Sequence, residues 1–299
     1  MKQKRVAYFC MEFGLDAGLP IYSGGLGILA GDVLKAAKDE GVPMVGVGIR
    51  WRQGYVNQRI DGKGFPYDSF YEQDTSMLED TGAVVYVTVR ARQIALKVWK
   101  CEAYGNVPLY LLDAFLPENK DYLITGQLYG WFNEERLAQE IILGVGGLRA
   151  LETLGIEVDL YHFNDSHPVV AGLECIRRDM LGGKSFEEAW KVAKSRIVFT
   201  THTPVVAGNE CYEYDVLEYM GVFGSRSVPQ GQHCLTREQM ERIGGDPFSM
   251  TVAGLGPSYR ANGVSQLHGE TARERWKGEE GARSSAIPNG VHNGPWQVV

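Results

Sequence analysis

Apolar residues recur along this chain at two periods, and the changes between them mark out its elements. Ile28, Leu29, Val33, Leu34, Ala36 and Ala37 follow helical spacing, with Lys35 and Lys38 late in the stretch and Gly41 and Pro43 closing it. The helix opens directly from a glycine loop, Ser23-Gly24-Gly25-Leu26-Gly27. Short apolar runs at residues 6–11 and 44–49 flank it, giving a strand–loop–helix–strand unit that predicts a parallel sheet with a right-handed crossover. Between residues 51 and 115 the pattern changes to alternation, at 55–59, 83–89, 94–99 and 107–112, and predicts a β meander, with Asp61-Gly62-Lys63-Gly64 as a turn.

Residues 134–154 carry the longest helical stripe (Leu137, Ile141, Ile142, Val145, Leu148, Leu151, Leu154), closed by Gly155. The βα rhythm then returns. A strand at 160–163 feeds Asn164-Asp165-Ser166-His167-Pro168 and a helix to about residue 181. A second helix starts at Ser185, and a strand at 197–200 feeds Thr201-His202-Thr203-Pro204. Helices are further predicted at 236–243, 247–255 and 258–276. The fold class is therefore α/β, with both polar clusters beyond the carboxyl ends of strands, where open parallel sheets bind ligands.

Composition narrows the classes of function. The 299 residues, 44% hydrophobic, suffice for a substantial core. A net charge of −7 without long basic runs argues against nucleic acid as a partner. No stretch of 18 apolar residues predicts a membrane span, and Glu12 breaks the apolar start of the chain, so no export signal is read. Cys10, Cys101, Cys175, Cys211 and Cys234 are odd in number and lack a C-x-x-C pair, which suggests reduced thiols in a cytoplasm rather than a disulfide framework or zinc site.

The glycine loop has two readings. It is a tight turn needing positive φ, or an opening onto a helix N-terminus whose unpaired amides suit a phosphate or sugar hydroxyl. A dinucleotide fingerprint on Gly25, Gly27 and Ala30 fails, because a long loop separates it from the first strand and the next strand ends in Arg50. Asp165, His167 and His202 occupy equivalent places after two strands and can converge on one cleft. Asp165 can equally cap the helix near Pro168, and His202 between two threonines can equally be a buried structural histidine. His162 and His268 read as structural. Nucleophile-elbow, zinc-peptidase and P-loop templates find no match.

In combination the motifs resemble the α-glucan (glycogen or maltodextrin) phosphorylase family. The likeness rests on Ala7-Tyr8-Phe9 with Met11-Glu12-Phe13, Leu19 to Gly27 with Leu29-Ala30-Gly31-Asp32, Gln53-Gly54-Tyr55, Asn164-Asp165-x-His167, and Phe199 to Pro204. Asn262-Gly263-Val264-Ser265, Leu267-His268-Gly269-Glu270 and Pro288 to His292 follow in order. The resemblance implies the amino-terminal Rossmann-like lobe of a GT-B fold over residues 1–299, with the β-rich section at about 51–115 inserted in it. It implies transfer of a glucosyl unit from an α-1,4-glucan to inorganic phosphate, giving glucose 1-phosphate. It places Gly24, Gly25, Leu26 and Gly27 over the glucosyl and phosphate groups, and Asp165, His167 and His202 on the sugar side of the cleft.

Pyridoxal 5′-phosphate, the family's cofactor, sits on a lysine of a second lobe that nothing here matches. The chain therefore reads as a lobe inactive alone, with a separate carboxyl-terminal lobe or self-association as partner. A sugar-nucleotide glucosyltransferase of the glycogen synthase type is the enzymatic alternative, although its loop usually contains lysine. A non-catalytic glucan-binding module is the other.

Overall fold

The computed structural model describes residues 3–130, 134–205, 208–223, 235–279, 281 and 284–293; Cys234 and residues 294–299 lie outside them. In chain order the first half comprises β1 (Val6–Phe9), α1 (Gly25–Asp39), β2 (Met44–Ile49), β3 (Asn57–Ile60), β4 (Pro66–Ser69), β5 (Glu79–Val89), β6 (Arg92–Cys101) and β7 (Leu109–Asp113). Then come α2 (Glu134–Ile141), a π-helical turn (Ile142–Gly146), α3 (Gly147–Thr153), β8 (Leu160–Asn164), α4 (Val170–Leu181), α5 (Phe186–Lys194) and β9 (Ile197–Thr201). The last part adds β10 (Cys211–Tyr212), α6 (Tyr214–Met220), α7 (Arg237–Gly244), β11 (Phe248–Ser249), α8 (Met250–Leu255), β12 (Arg260–Gly263), α9 (Gln266–Arg275) and β13 (Ser285–Ala286).

One mixed sheet of nine strands, in the order β13-β12-β9-β8-β1-β2-β7-β6-β5, carries the molecule. Pairing is parallel from β13 through to β7 and antiparallel only for β7–β6 and β6–β5. From β1 the chain builds outward through β2 and β7 on one side and through β8, β9, β12 and β13 on the other. The strand order thus reverses between β1 and β8, the place where open α/β sheets bind ligands beyond their carboxyl ends. The alternating section predicted as a meander is here an extension of the same sheet, because β7 is buried and pairs in parallel with β2. Within this section β3 and β4 stand apart as a hairpin, turned by Asp61, whose Oδ1 accepts from Lys63 N at 2.8 Å and Phe65 N at 2.9 Å, and later in the chain β10 and β11 pair separately as well.

Directly under the switch point the core is aromatic. Phe9, Phe163 and Phe199 are fully buried and in register across β1, β8 and β9, with Phe9 and Phe163 edge to face at 6.0 Å. The long predicted helix lies across this layer. A Cβ on Gly144 would meet the backbone N of Ala171 at 2.6 Å, and one on Gly147 would meet Phe9 Cε1 and Val47 Cγ1 at 2.6 Å. Such close approach explains glycine at these positions, and the π turn there breaks what sequence periodicity read as one helix.

The helix predicted over 258–276 is the clear miss. Residues 260–263 form β12 instead, because Ala261, Asn262 and Gly263 are buried between β9 and β13. Helix α9 starts after Ser265, whose Oγ accepts from His268 N at 3.0 Å. Cys10, Cys101, Cys175 and Cys211 are free thiols. Among the described residues no helix is long and apolar enough to cross a membrane.

Candidate functional site

Glu12, three residues beyond the end of β1, is 2% exposed and organises the glycine loop. Its Oε2 accepts from Ser23 N at 2.6 Å and Gly24 N at 3.2 Å, and its Oε1 accepts from the Tyr129 hydroxyl at 2.8 Å. The loop is drawn onto the strand end, where Gly14 N donates to Gly27 O at 2.7 Å. Gly27 is glycine for lack of room, since a Cβ would lie 2.7 Å from Glu12 Oε2 and 2.5 Å from Tyr22 Cβ. Gly24 and Gly25 differ: a Cβ on either would meet nothing within 4 Å. None of the three has positive φ, which sets aside the tight-turn reading. What remains is an uncovered helix N-terminus whose first amides have no intrahelical partner.

Beyond β8 the backbone bends sharply. Asp165 has φ +68°, a left-handed conformation uncommon outside glycine, and its N–H donates to Thr200 O at 2.8 Å. Its Oδ1 accepts from Ser166 N at 3.0 Å and its Oδ2 from Thr203 Oγ1 at 3.2 Å. It does not cap α4, whose start has no side-chain cap. Burial outweighs these donors and raises the Asp165 carboxyl to about 6.

Neighbouring Asn164, wholly buried, ties three strand ends together. It donates to Cys10 Sγ at 3.2 Å and accepts at Oδ1 from His202 Nε2 at 2.7 Å. Burial, with His268 and His162 nearby, holds His202 down at about 4. His162 and His268 are structural as read: His162 Nε2 lies 2.8 Å from Thr200 Oγ1, and His268 Nδ1 accepts from Val264 N at 3.3 Å.

His167 meets a group that pattern reading missed. Its Nε2 lies 2.6 Å from Arg136 Nη2 on α2, and its ring centroid is 5.9 Å from that of Tyr129. The Arg136 Cζ stands 4.3 Å over the Tyr129 ring, and its Nε lies 3.1 Å from Glu210 Oε1. Burial first, then the Arg136 charge, lowers His167 to about 3. A continuous path therefore runs from the glycine loop through Glu12, Tyr129 and Arg136 to His167, and a second from Cys10 through Asn164 to His202. Asp165, His167, His202 and the glycine loop share one end of one sheet.

Around this end of the sheet the chain places helix amides, the imidazoles of His167 and His202, the carboxyl groups of Glu12, Asp165 and Glu210, and the Arg136 guanidinium. Among the described residues no cluster of metal-ligating side chains is present. Unpaired helix amides and a guanidinium are groups that can hold an anion or a sugar hydroxyl.

Comparison with other proteins shows what the chain is similar to by sequence. The chain is 34% identical to maltodextrin phosphorylase of Thermococcus litoralis over 312 residues, covering 98% of this chain and 37% of that protein. It is 37% identical to glycogen phosphorylase of Mycobacterium tuberculosis over 323 residues, covering 97% of this chain and 37% of that protein. By sequence the chain is a relative of the α-glucan phosphorylases. It corresponds to an amino-terminal portion of them, and is also 30% identical to glycogen phosphorylase of Aquifex aeolicus, 44% of which it spans. No family model matches the chain.

Proposed function

We propose that these 299 residues form the amino-terminal lobe of a GT-B α-glucan phosphorylase, with the β-rich section inserted at about residues 51–115. In this reading they supply one wall of a cleft in which an α-1,4-glucan transfers a glucosyl unit to inorganic phosphate, giving glucose 1-phosphate. The observation that carries it is that the Gly24–Gly27 helix N-terminus and Asp165, His167 and His202 lie at one end of the sheet beside its switch point, the loop linked to His167 through Glu12, Tyr129 and Arg136. Amides of the glycine loop would face phosphate and the glucosyl oxygens, and His202 and Asp165 the sugar undergoing transfer. An oxocarbenium-like centre beside an anion needs dipoles fixed in advance, and a helix end braced by Glu12 is such a fixture.

Pyridoxal phosphate does not fit the residues present. Holding it as a Schiff base takes a lysine amine, and no lysine is among the residues that hydrogen bonds and ring contacts join here. Lys35, the buried lysine of α1, is committed to Leu15 O. The cofactor therefore belongs to a second lobe, supplied by further chain or by a partner, and the setting is cytoplasmic.

The test is phosphate-dependent release of glucose 1-phosphate from maltodextrin. The 299 residues alone should release none and bind no pyridoxal phosphate. Robust turnover by them alone would overturn the division of labour proposed here.

A further inference from the structure

Arg136 has N–H donors and no acceptor. Its Nη2, 2.6 Å from His167 Nε2, makes a hydrogen bond there only if that ring nitrogen is bare. A neutral His167 then carries its proton on Nδ1, an atom that is buried without a partner among the described residues. The charges behind Arg136 are arranged to keep it so. Glu140, on the same helix, is fully buried; its Oε1 lies 3.6 Å from Arg136 Nε and its Oε2 accepts from the Tyr212 hydroxyl at 3.2 Å. Glu210 Oε1 lies 3.1 Å from the same Arg136 Nε, so the two carboxyl groups converge on one guanidinium nitrogen.

Two carboxyls brought this close, one of them fully buried, do not both ionise. Burial followed by the Glu210 charge raises Glu140 well above the ordinary range. Burial works against ionisation of Glu210 as well, but the proton of Glu140 and the charge of Arg136 outweigh it and keep Glu210 ionised. One negative charge therefore faces one guanidinium, and a protonated His167 would set a second cation against Arg136 and near His202.

We propose that Arg136, held by the Glu140–Glu210 pair, is a positioning residue that locks His167 as the neutral Nδ1–H tautomer and so removes His167 from proton transfer in the cleft. The inference rests on the reading above for its substrate, a glucan, whereas the tautomer is a property of this chain alone.

Long-range proton–nitrogen correlation spectra of the full chain labelled with 15N-histidine test it, with His167 assigned through His167→Gln. The wild-type spectrum should show Nε2 as the bare nitrogen and no titration of this ring between pH 5 and 8. Arg136→Met should release the ring into a mixture of tautomers that titrates within that window, and Arg136→Lys, which still only donates, should retain Nδ1–H. A wild-type Nε2–H tautomer, or an Arg136→Met spectrum identical to wild type, would overturn the proposal. The wild-type spectrum decides the tautomer even if the methionine variant does not fold. A locked tautomer in a chain whose spectrum maltodextrin leaves unchanged would sustain this inference while refuting the glucan reading.

Discussion

His202 Nε2 lies 2.7 Å from Asn164 Oδ1, while Asn164 gives its own N–H to Cys10 Sγ at 3.2 Å. One buried amide thus fixes which nitrogen of His202 carries the proton and joins the ends of β1, β8 and β9. Asn164→Ala leaves both neighbours without their partner, at a cost of about 1–3 kcal/mol. The urea midpoint should fall accordingly, and an unchanged midpoint would deny Asn164 this role.

Gly25 and Gly27 should answer alanine in opposite ways. At Gly27 the added methyl collides with Glu12 and Tyr22, whereas at Gly25 it meets open space. Gly25→Ala should leave stability within about 0.5 kcal/mol of wild type, yet weaken retardation in maltodextrin-loaded gels, because the methyl stands where a ligand approaches the helix amides. Gly27→Ala should lower the melting temperature. Equal behaviour of the two variants would return the loop to a mere turn.

Glu12→Ala removes the acceptor for Ser23 N, Gly24 N and the Tyr129 hydroxyl. Hydrogen bonds to a charged group contribute about 1.5–3 kcal/mol, so the loop should open well before the sheet unfolds. Amide exchange at residues 23–27 should quicken while that of β1 and β8 stays slow. Exchange rising equally everywhere would mean that Glu12 braces the whole fold rather than the loop.

Stability should depend on pH through groups of opposite sign. The Asp165 carboxyl is raised from 3.8 to about 6, so the folded state binds the extra proton between those values and this contribution declines as pH rises through them. Asp165→Asn keeps a residue that accepts positive φ and should stabilise the chain at pH 7 by at most about 3 kcal/mol. For His202, lowered from 6.5 to about 4, the unfolded chain binds the proton first, and stability is lost as pH falls through that window. His202→Gln should flatten the acid limb by about 1.4 kcal/mol per pH unit. Denaturant titrations between pH 4 and 7 separate the two, and matching profiles for wild type and both variants would contradict these assignments.

Much of this site could be read from the chain because of where its residues fall. Asp165 and His202 each follow an apolar run by one or two positions, and the glycine loop opens a helix of clear period, so strand ends and helix start are visible locally. Glu12 also follows a strand, but its role depends on Ser23, Gly24 and Tyr129, contacts that no spacing rule supplies. Arg136 and Glu140 were hidden on the polar face of a periodic helix, and Glu210 in a loop without pattern. A charged residue on such a face reads as solvated until the fold buries it. The error at residues 260–263 has the same root: Ala261, Asn262 and Gly263 carry no strand preference, and their burial between β9 and β13 alone makes them one.

Hydrogen exchange of the whole chain with and without saturating maltodextrin and inorganic phosphate tests the central claim most directly. If the glycine turn, Asp165 and His202 surround one ligand, protection should appear together at residues 24–28, 164–167 and 201–203, and not at the opposite edge of the sheet. Protection confined to other segments, or none at these three under conditions where maltodextrin retards the chain in gels, would contradict it.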